Sequence, residues 1–320
     1  MFVDLPEAEL RAYRSTQTDP ADFDEFWAGT LAESRTHDVA VSLTPVATGL
    51  TTLEVFDVSF SGFGGERIRG WLRYPAGATG PLPAVVEYVG YGGGRGAPID
   101  NLLWASAGFV HLQMDTRGQG SAWSAGATPD SGGGGPQFPG FMTRGIESRE
   151  GYYYRRLLTD AVRAVDAARS LDIVDPPRVA VYGRSQGGGM AIAVSGLVPD
   201  LAAMCTAVPF LCDYTRATTI TDSAPYKEIG QYLATHRGAR DDVLATLAYF
   251  DGVNFAKRAA SPARFSVALM DATCPPSTVF GAFNNYGGDG DIIVWPYNGH
   301  EGGGPDDEAF FLSFLRDALA

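Results

Sequence analysis

Arg178-Val-Ala-Val-Tyr-Gly-Arg-Ser-Gln-Gly-Gly-Gly-Met190 is the stretch that decides how this chain folds. Residues 179–182 form a short, β-branched apolar run of the kind a buried parallel strand needs. Residues 190–197 are small, apolar and compatible with a helix. Between them stands Gly183-Arg184-Ser185-Gln186-Gly187, a match to G-x-S-x-G, and strand, sharp turn and helix are the setting of a nucleophile elbow. The turn strains the serine backbone, so its neighbours must lack bulk, and Gly183, Gly187 and Gly188 supply that. Ser185 is therefore the candidate nucleophile, with the backbone N–H of Gln186 aimed where an oxyanion would form. A glycine-rich turn can also be only a tight connection; the flanking strand and helix favour the nucleophile.

Working outward, the chain from Pro83 alternates strands with helices: strand 84–89, helix 99–107, strand 109–114, a long helix 152–171, the nucleophile strand, then strands 202–208, 264–270 and 291–295. Tyr154, Leu157, Leu158, Ala161, Val162, Val165 and Ala168 make one stripe on the long helix. Pro176-Pro177 reads as a stop ahead of the nucleophile strand. Upstream, residues 53–60 and 68–74 alternate like antiparallel strands around the turn 61–65 and should form an antiparallel edge. Asp19-Pro20 reads as a helix start, and Phe23, Phe26, Trp27 and Leu31 follow at helical spacing as docking residues. Pro305 with Asp306, Asp307 and Glu308 starts the last helix.

Two segments break the rhythm. Residues 116–145 are polar and glycine-rich, including the run 132–135, and too long for a plain connection, which points to function or flexibility. Residues 213–260 read as short helices with no strand between them, an insertion suited to a cap or an oligomer contact. The expected architecture is α/β, a doubly wound and mostly parallel sheet in one domain spanning 1–320, with a helical extension at 1–50 and the insertion at 213–260.

With Ser185 as nucleophile, an acid and then a histidine must follow in the chain, both at carboxyl ends of strands. Of the four histidines, His37 precedes the sheet, His111 lies within a strand and His236 falls in the insertion. His300 alone follows a late strand. Asp271 comes directly after strand 264–270, whereas its competitors Asp289 and Asp291 lie before or at the start of the last strand. The second oxyanion donor belongs in the loop after the third strand, Gly90-Tyr-Gly-Gly-Gly-Arg-Gly96, with the N–H of Tyr91 well placed. A phosphate cradle is the competing use of such a loop, but no G-x-x-x-x-G-K-[ST] occurs.

Acidic residues outnumber basic ones 37 to 24, for a net charge of −13. Nucleic acid and anionic membrane are therefore not expected as partners. Cys205, Cys212 and Cys274 cannot all pair and show no metal-ligand spacing, so neither metal nor cofactor is expected. The N-terminus shows no basic n-region and no window approaches a membrane span, which together suggest a cytoplasmic protein.

Several stretches resemble the acetyl xylan esterase and cephalosporin C deacetylase family, carbohydrate esterase family seven of the α/β-hydrolase fold. Arg117-Gly-Gln-Gly120 is similar to its R-G-Q-G, residues 183–188 to its G-x-S-Q-G-G, and His300-Glu301 to its H-E. Residues 90–96, Pro209-Phe-Leu-Cys-Asp213 and Asp271-Ala-Thr-Cys-Pro-Pro-Ser-Thr278 match further runs in family order. One departure is Gly92, where an Asn would be expected and where the loop could loosen. The resemblance implies Ser185, Asp271 and His300 as a triad, and Tyr91 and Gln186 as oxyanion donors. It also implies Tyr91, Phe210 and Pro276 as lining of a tight acyl pocket. Arg117 and Gln119 would be structural supports pairing with nearby acids, and Glu301 would orient the histidine loop. A ring-like hexamer is implied as well, acting on small acetylated molecules such as xylo-oligosaccharides and cephalosporin C. Hydrolysis of longer acyl esters or peptides is the alternative enzyme reading; a non-catalytic binding protein is the reading outside enzymes.

Overall fold

The computed structural model describes residues 2–131 and 135–320; Gly132, Gly133 and Gly134 of the glycine run lie outside the described residues. In chain order the elements are α1 (Glu7–Ala12), α2 (Phe23–Ser34), β1 (Ser42–Pro45), β2 (Leu53–Ser61), β3 (Arg67–Pro75), β4 (Leu82–Tyr88), α3 (Leu103–Ser106) and β5 (Val110–Met114). They continue as α4 (Tyr153–Arg169), β6 (Val174–Arg184), α5 (Gln186–Leu197), β7 (Ala203–Ala207), α6 (Tyr214–Ile220), α7 (Tyr226–Thr235), α8 (Arg240–Leu247) and α9 (Gly252–Ala256). The chain closes with β8 (Ala263–Ala268), α10 (Pro276–Phe283), β9 (Gly290–Trp295) and α11 (Pro305–Ala318).

The strands form a nine-stranded sheet in the order β1-β2-β3-β5-β4-β6-β7-β8-β9. The first pairings, β1 to β2, β2 to β3 and β3 to β5, are antiparallel. Every pairing from β5 to β9 is parallel. β6 sits near the middle between β4 and β7, so the serine that follows it emerges at the centre of the sheet's carboxyl rim. This is the α/β-hydrolase fold, with the antiparallel edge expected from the alternation of residues 53–74.

Both faces of the sheet are buried. The expected stripe of α4, from Tyr154 to Ala168, is solvent-excluded throughout, each large aliphatic member contributing about 1.5–3 kcal/mol of burial. On the opposite face Phe311 and Leu315 of α11 pack over Ala180, Tyr182 and Cys205. The N-terminal aromatics dock as expected: Trp27 and Phe23 meet Phe255 edge-on at 5.4 and 5.2 Å, and Trp27 Nε1 donates to Tyr249 O at 2.9 Å.

Several boundaries differ from expectation for identifiable reasons. Helix α2 begins at Phe23 rather than at the Asp19-Pro20 cap; Asp19 instead holds Lys257 and Arg258 in ion pairs. Pro176-Pro177 does not precede β6 but lies inside it, where the register against β4 shifts between Leu82 and Ala84. An irregularity of that kind is where a strand tolerates proline. Helix 99–107 shrinks to the single turn α3, because Asn101 adopts φ 52° ahead of it and Gly108 φ 103° behind it. Strand β1 and helix α10 are not expected from the sequence. β1 makes the Tyr91 loop follow the fourth strand rather than the third. Four helices, α6 to α9, fill the insertion.

Candidate active site

Ser185 occupies the turn between β6 and α5 with φ 55° and ψ −121°, a conformation costing a non-glycine residue roughly 1–3 kcal/mol. The surrounding backbone is what tolerates it. A Cβ on Gly183 would lie 2.1 Å from Gly187 O, one on Gly187 2.0 Å from Tyr88 O, and one on Gly189 2.1 Å from Phe210 O. The glycines therefore let β4, the elbow and the 208–213 corner approach closely. Ser185 N–H donates to Ala207 O at 2.9 Å, and Ser185 O accepts from Phe210 N at 2.9 Å.

Three side chains expected from separate stretches converge here. His300 Nε2 lies 3.0 Å from Ser185 Oγ, and His300 Nδ1 lies 2.8 Å from Asp271 Oδ2. Asp271 is fully buried, and its Oδ1 accepts the N–H groups of Thr273 (2.8 Å) and Cys274 (2.9 Å). Each oxygen thus has a job, and the carboxylate cannot swing away from the imidazole. Asp289 and Asp291 sit at the amino end of β9, the far side from this rim. His111 is buried in β5 against Glu87, and the His236 ring stacks on Tyr232.

The Tyr91 loop is a turn closed by Gly93 N–H to Gly90 O at 3.1 Å, with Gly92 at φ 78°. That is the third position of a type II turn, which favours Gly or Asn. Gly92 does not loosen the loop. Its N–H donates to Gln119 Oε1 at 2.7 Å, its carbonyl accepts from Ala122 N at 3.1 Å, and a Cβ there would meet Phe138 at 2.7 Å. Trp123 Nε1 donates to Tyr91 O at 2.8 Å. The Tyr91 hydroxyl donates to Glu228 at 2.7 Å and accepts from Phe141 N at 2.9 Å. Burial pushes the Tyr91 hydroxyl pKa up and the Glu228 charge adds to it, which keeps it a donor. Among the described residues no acceptor takes the Tyr91 N–H. The Gln186 N–H, at the start of α5, has no partner within its helix.

Gln119 links the two loops: its Nε2 donates to Gln186 Oε1 at 2.9 Å and to Tyr153 OH at 3.1 Å. It pairs with amides and a phenol, not with the acids expected for it. Arg117 does pair with acids. Its guanidinium grips Asp160 through two bonds, Nε at 2.5 Å and Nη2 at 2.8 Å, and reaches Glu66 at 2.6 Å. Burial alone would lower its pKa, but Asp160 and Glu66 outweigh that and raise it. Glu301 Oε1 accepts from Gly299 N and the Asn298 side chain, each at 3.1 Å, bracing the turn that carries His300.

A cavity of about 850 Å³ opens beside Ser185, lined among others by Tyr91, Trp123, Phe138, Pro225, Thr273 and His300. Of the residues expected to line a pocket, only Tyr91 does. Phe210 and Pro276 are fully buried behind it: Phe210 packs on the Tyr226 ring at 4.3 Å, and Pro276 opens α10. Sequence reasoning missed Trp123, Glu228 and Arg184. Arg184, the variable residue of the elbow, donates from Nη2 to His300 O at 2.7 Å. Nothing in the motif's spacing marks these three, because each acts through the folded rim.

Segment 116–145 is not a free loop where it meets the site. Gly94 N and Gly96 N donate to Ser124 O and Ala125 O at 3.0 and 2.9 Å. The Asp115 carboxylate gathers the N–H groups of Arg95, Ala127 and Thr128. Among the described residues one group could hold a metal ion: Asp271, Cys274 and His300, with donor atoms within 4.8 Å of one another. The set fits a metal poorly, since both imidazole nitrogens are engaged and burial pushes the Cys274 thiol up, away from the thiolate a metal requires.

A parallel-centred sheet with a strained serine at the elbow and a histidine–aspartate line behind it defines an α/β-hydrolase. The chain belongs to the acetyl xylan esterase (AXE1) family, whose profile matches residues 1–317. It is similar to the acetyl xylan esterase of Paenibacillus sp. R4, with a TM-score of 0.91 and 37% identity over 98% of this chain and 99% of that one. Acetyl xylan esterase 1 of Thermoanaerobacterium sp. JW/SL YS485 gives a TM-score of 0.90 and 34% identity over 99% and 100%. Acetyl esterase Axe7A of Xylanibacter ruminicola is 29% identical over 290 residues, 88% of this chain; the match spans 63% of that relative's length.

Proposed function

We propose that this protein removes acetyl groups from small alcohol esters through an acetyl-serine intermediate on Ser185. The observation that carries this is the continuous line from Ser185 Oγ through His300 to the buried Asp271, at 3.0 and 2.8 Å. Ser185 Oγ attacks the acetyl carbonyl carbon while its proton passes to His300 Nε2. The N–H groups of Tyr91 and Gln186 receive the oxyanion. Collapse breaks the carbon–oxygen bond to the alcohol, which leaves with the proton from His300. Water, deprotonated by the same imidazole, then attacks the acetyl-serine and releases acetate. Asp271 holds the tautomer that presents Nε2 to the serine and stabilises the imidazolium. Arg117, Gln119 and Glu301 position these groups without touching the reacting atoms.

Membership in the acetyl xylan esterase family supports acetate as the acyl group. Acetylated xylo-oligosaccharides and cephalosporin C are the substrates proposed on the same ground, with a hexameric assembly. The cytoplasm is the proposed compartment, supported by three buried, unpaired thiols; among the described residues no helix is long and apolar enough to cross a membrane. The test is Ser185→Ala against a nitrophenyl ester series from acetate to octanoate. Turnover should favour acetate in the native chain and vanish in the variant. Retained turnover, or a preference for octanoate, rejects the proposal.

A further inference from the structure

Four of the six residues in Gly299-His-Glu-Gly-Gly-Gly304 are glycine, so the segment that carries the imidazole has few side chains to stiffen it. Glycine loses more conformational freedom on ordering than any other residue. A base that must stay within hydrogen-bond reach of a hydroxyl needs that freedom removed from outside the loop. Both ends of the loop are tied down. At its entry Met270 N–H donates to Asn298 O at 3.0 Å. At its exit the buried Asp307 carboxylate accepts from Gly303 N at 2.8 Å and from Trp295 Nε1 at 2.7 Å. Between these anchors the hydrogen bonds of Gly299, Glu301 and Gly302 stay within the loop. Among the described residues, one hydrogen bond joins the main chain of His300 to the sheet: Arg184 Nη2 donates to its carbonyl oxygen at 2.7 Å.

The place of that donor in the chain gives the bond its meaning. Arg184 ends β6 and is the immediate neighbour of Ser185. β7 and β8 separate β6 from β9, yet the loop after β9 folds back towards the elbow. A Cβ on Gly302 would lie 3.3 Å from Val208 and 3.7 Å from Arg184 Nη2. One side chain therefore links the backbone beside the nucleophile to the backbone of the base. Asp271 fixes the imidazole at Nδ1, 2.8 Å away, but that contact alone leaves the glycine-rich loop free to pivot about it. The Arg184 bond supplies a second fixed point.

Two other uses of this arginine fit less well. Arg184 borders the cavity beside Ser185, near Glu87 and Glu308; the Glu308 pKa is raised by desolvation and then by the Glu87 charge, with Arg184 opposing. Those acids disfavour an anionic substrate group at this point. Ion pairing does not explain where the guanidinium rests either: among the described residues its one hydrogen bond goes to His300, and no carboxylate pairs with it. We propose that Arg184 is a positioning residue, tethering the His300 carbonyl so that Nε2 stays against Ser185 Oγ and setting the rate of acyl transfer rather than substrate affinity. The inference rests on the reading of Ser185 as the nucleophile of acetyl-ester hydrolysis. Arg184 acts through His300 and makes no bond to Ser185 Oγ.

The test compares the native full chain with Arg184→Ala, Arg184→Gln and Arg184→Lys, with urea unfolding to show that each is folded. Alanine removes the donor, and glutamine, shorter by the guanidinium end, cannot span the gap if alanine proves too disruptive to fold. With ethyl acetate, kcat should fall about 10- to 100-fold in Arg184→Ala and Arg184→Gln while KM stays within about twofold, the cost of misplacing a catalytic group. One carbonyl needs one donor rather than a planar fork, so Arg184→Lys should stay within about threefold of native. Phosphonylation of Ser185 by a fluorophosphonate needs the same Ser185–His300 contact but no acetyl group, and its rate should fall with kcat. A kcat unchanged in both Arg184→Ala and Arg184→Gln, a raised KM at native kcat, or an Arg184→Lys protein as slow as Arg184→Ala would overturn the tether. If the native chain hydrolyses no acetyl ester, the acetyl-ester reading fails; phosphonylation rates then test the tether by itself, and equal rates in the native chain and Arg184→Ala would overturn it.

Discussion

Gln119 bonds both the Tyr91 loop and the Gln186 side chain, the two segments whose N–H groups are proposed to receive the oxyanion, which makes Gln119→Met a sharp probe of positioning. Methionine keeps the volume and removes both polar atoms. Tyr153 OH would still donate to Arg117 O at 2.6 Å, and Gln186 Oε1 would still accept from Tyr154 OH at 2.9 Å. The Gly92 N–H would lose its acceptor altogether. One orphaned buried amide costs about 1–3 kcal/mol and each of two lost neutral bonds about 0.5–1.5 kcal/mol, so the stability loss should lie near 2–6 kcal/mol. The kinetic cost has a ceiling: deleting an oxyanion donor outright costs roughly 3 kcal/mol, and here the donor is only loosened. kcat should therefore fall about 10- to 30-fold with KM little changed, the pattern of an interaction made in the transition state. The assay is steady-state hydrolysis of a small acetyl ester well below the melting temperature, with urea unfolding alongside. A variant that loses stability but keeps native kcat would refute the positioning role and leave Gln119 a structural residue only.

Further outcomes follow from the same geometry. Asp271→Asn should fold normally, since its oxygen can still accept from Thr273 and Cys274, but lose on the order of 10⁴ in kcat by favouring the wrong imidazole tautomer; activity within about tenfold of native would contradict the assignment. Gly187→Ala would drive a Cβ to 2.0 Å from Tyr88 O, so thermal unfolding should show a loss of several kcal/mol, about 3 or more; an unchanged melting temperature would mean the elbow packs less tightly than described. Asp251 is buried, and desolvation together with the nearby Asp213 raises its pKa to about 7 from the ordinary 3.8. Between those values the folded chain holds a proton that the unfolded chain has released. Stability from this group is thus present at low pH and lost as pH rises from about 4 to 7, by roughly 4 kcal/mol at most. Urea unfolding across that range should show a downward slope that Asp251→Asn removes; identical slopes would place the titration elsewhere.

The parts of this site that can be read from the sequence are those whose chemistry forces a local pattern. Gly183, Gly187 and Gly189 are required by contacts of 2.0–2.1 Å to neighbouring backbone, and such steric demands leave a mark on the chain. His300 and Asp271 are reachable through chain order and strand ends. What the sequence hides is whatever depends on closure of the rim. Phe210 resembles a pocket wall because of the motif it stands in, but the left-handed backbone at Val208, Leu211 and Asp213 turns that corner inward. Helix 99–107 is over-read because its apolar residues say nothing about the turn at Asn101. β1 is four exposed residues with no alternation to betray it.

The proposed chemistry turns on one hydroxyl, that of Ser185, held 3.0 Å from His300 Nε2 and taking the acyl group. The most direct measurement is to treat the full chain with a fluorophosphonate, follow residual acetyl esterase activity, and map the label by peptide mass spectrometry. A single phosphonylated residue, Ser185, is expected, with activity lost in proportion to labelling and no label in Ser185→Ala. Hydrolysis that continues with Ser185 fully labelled, or inactivation with the label on another residue, would contradict it.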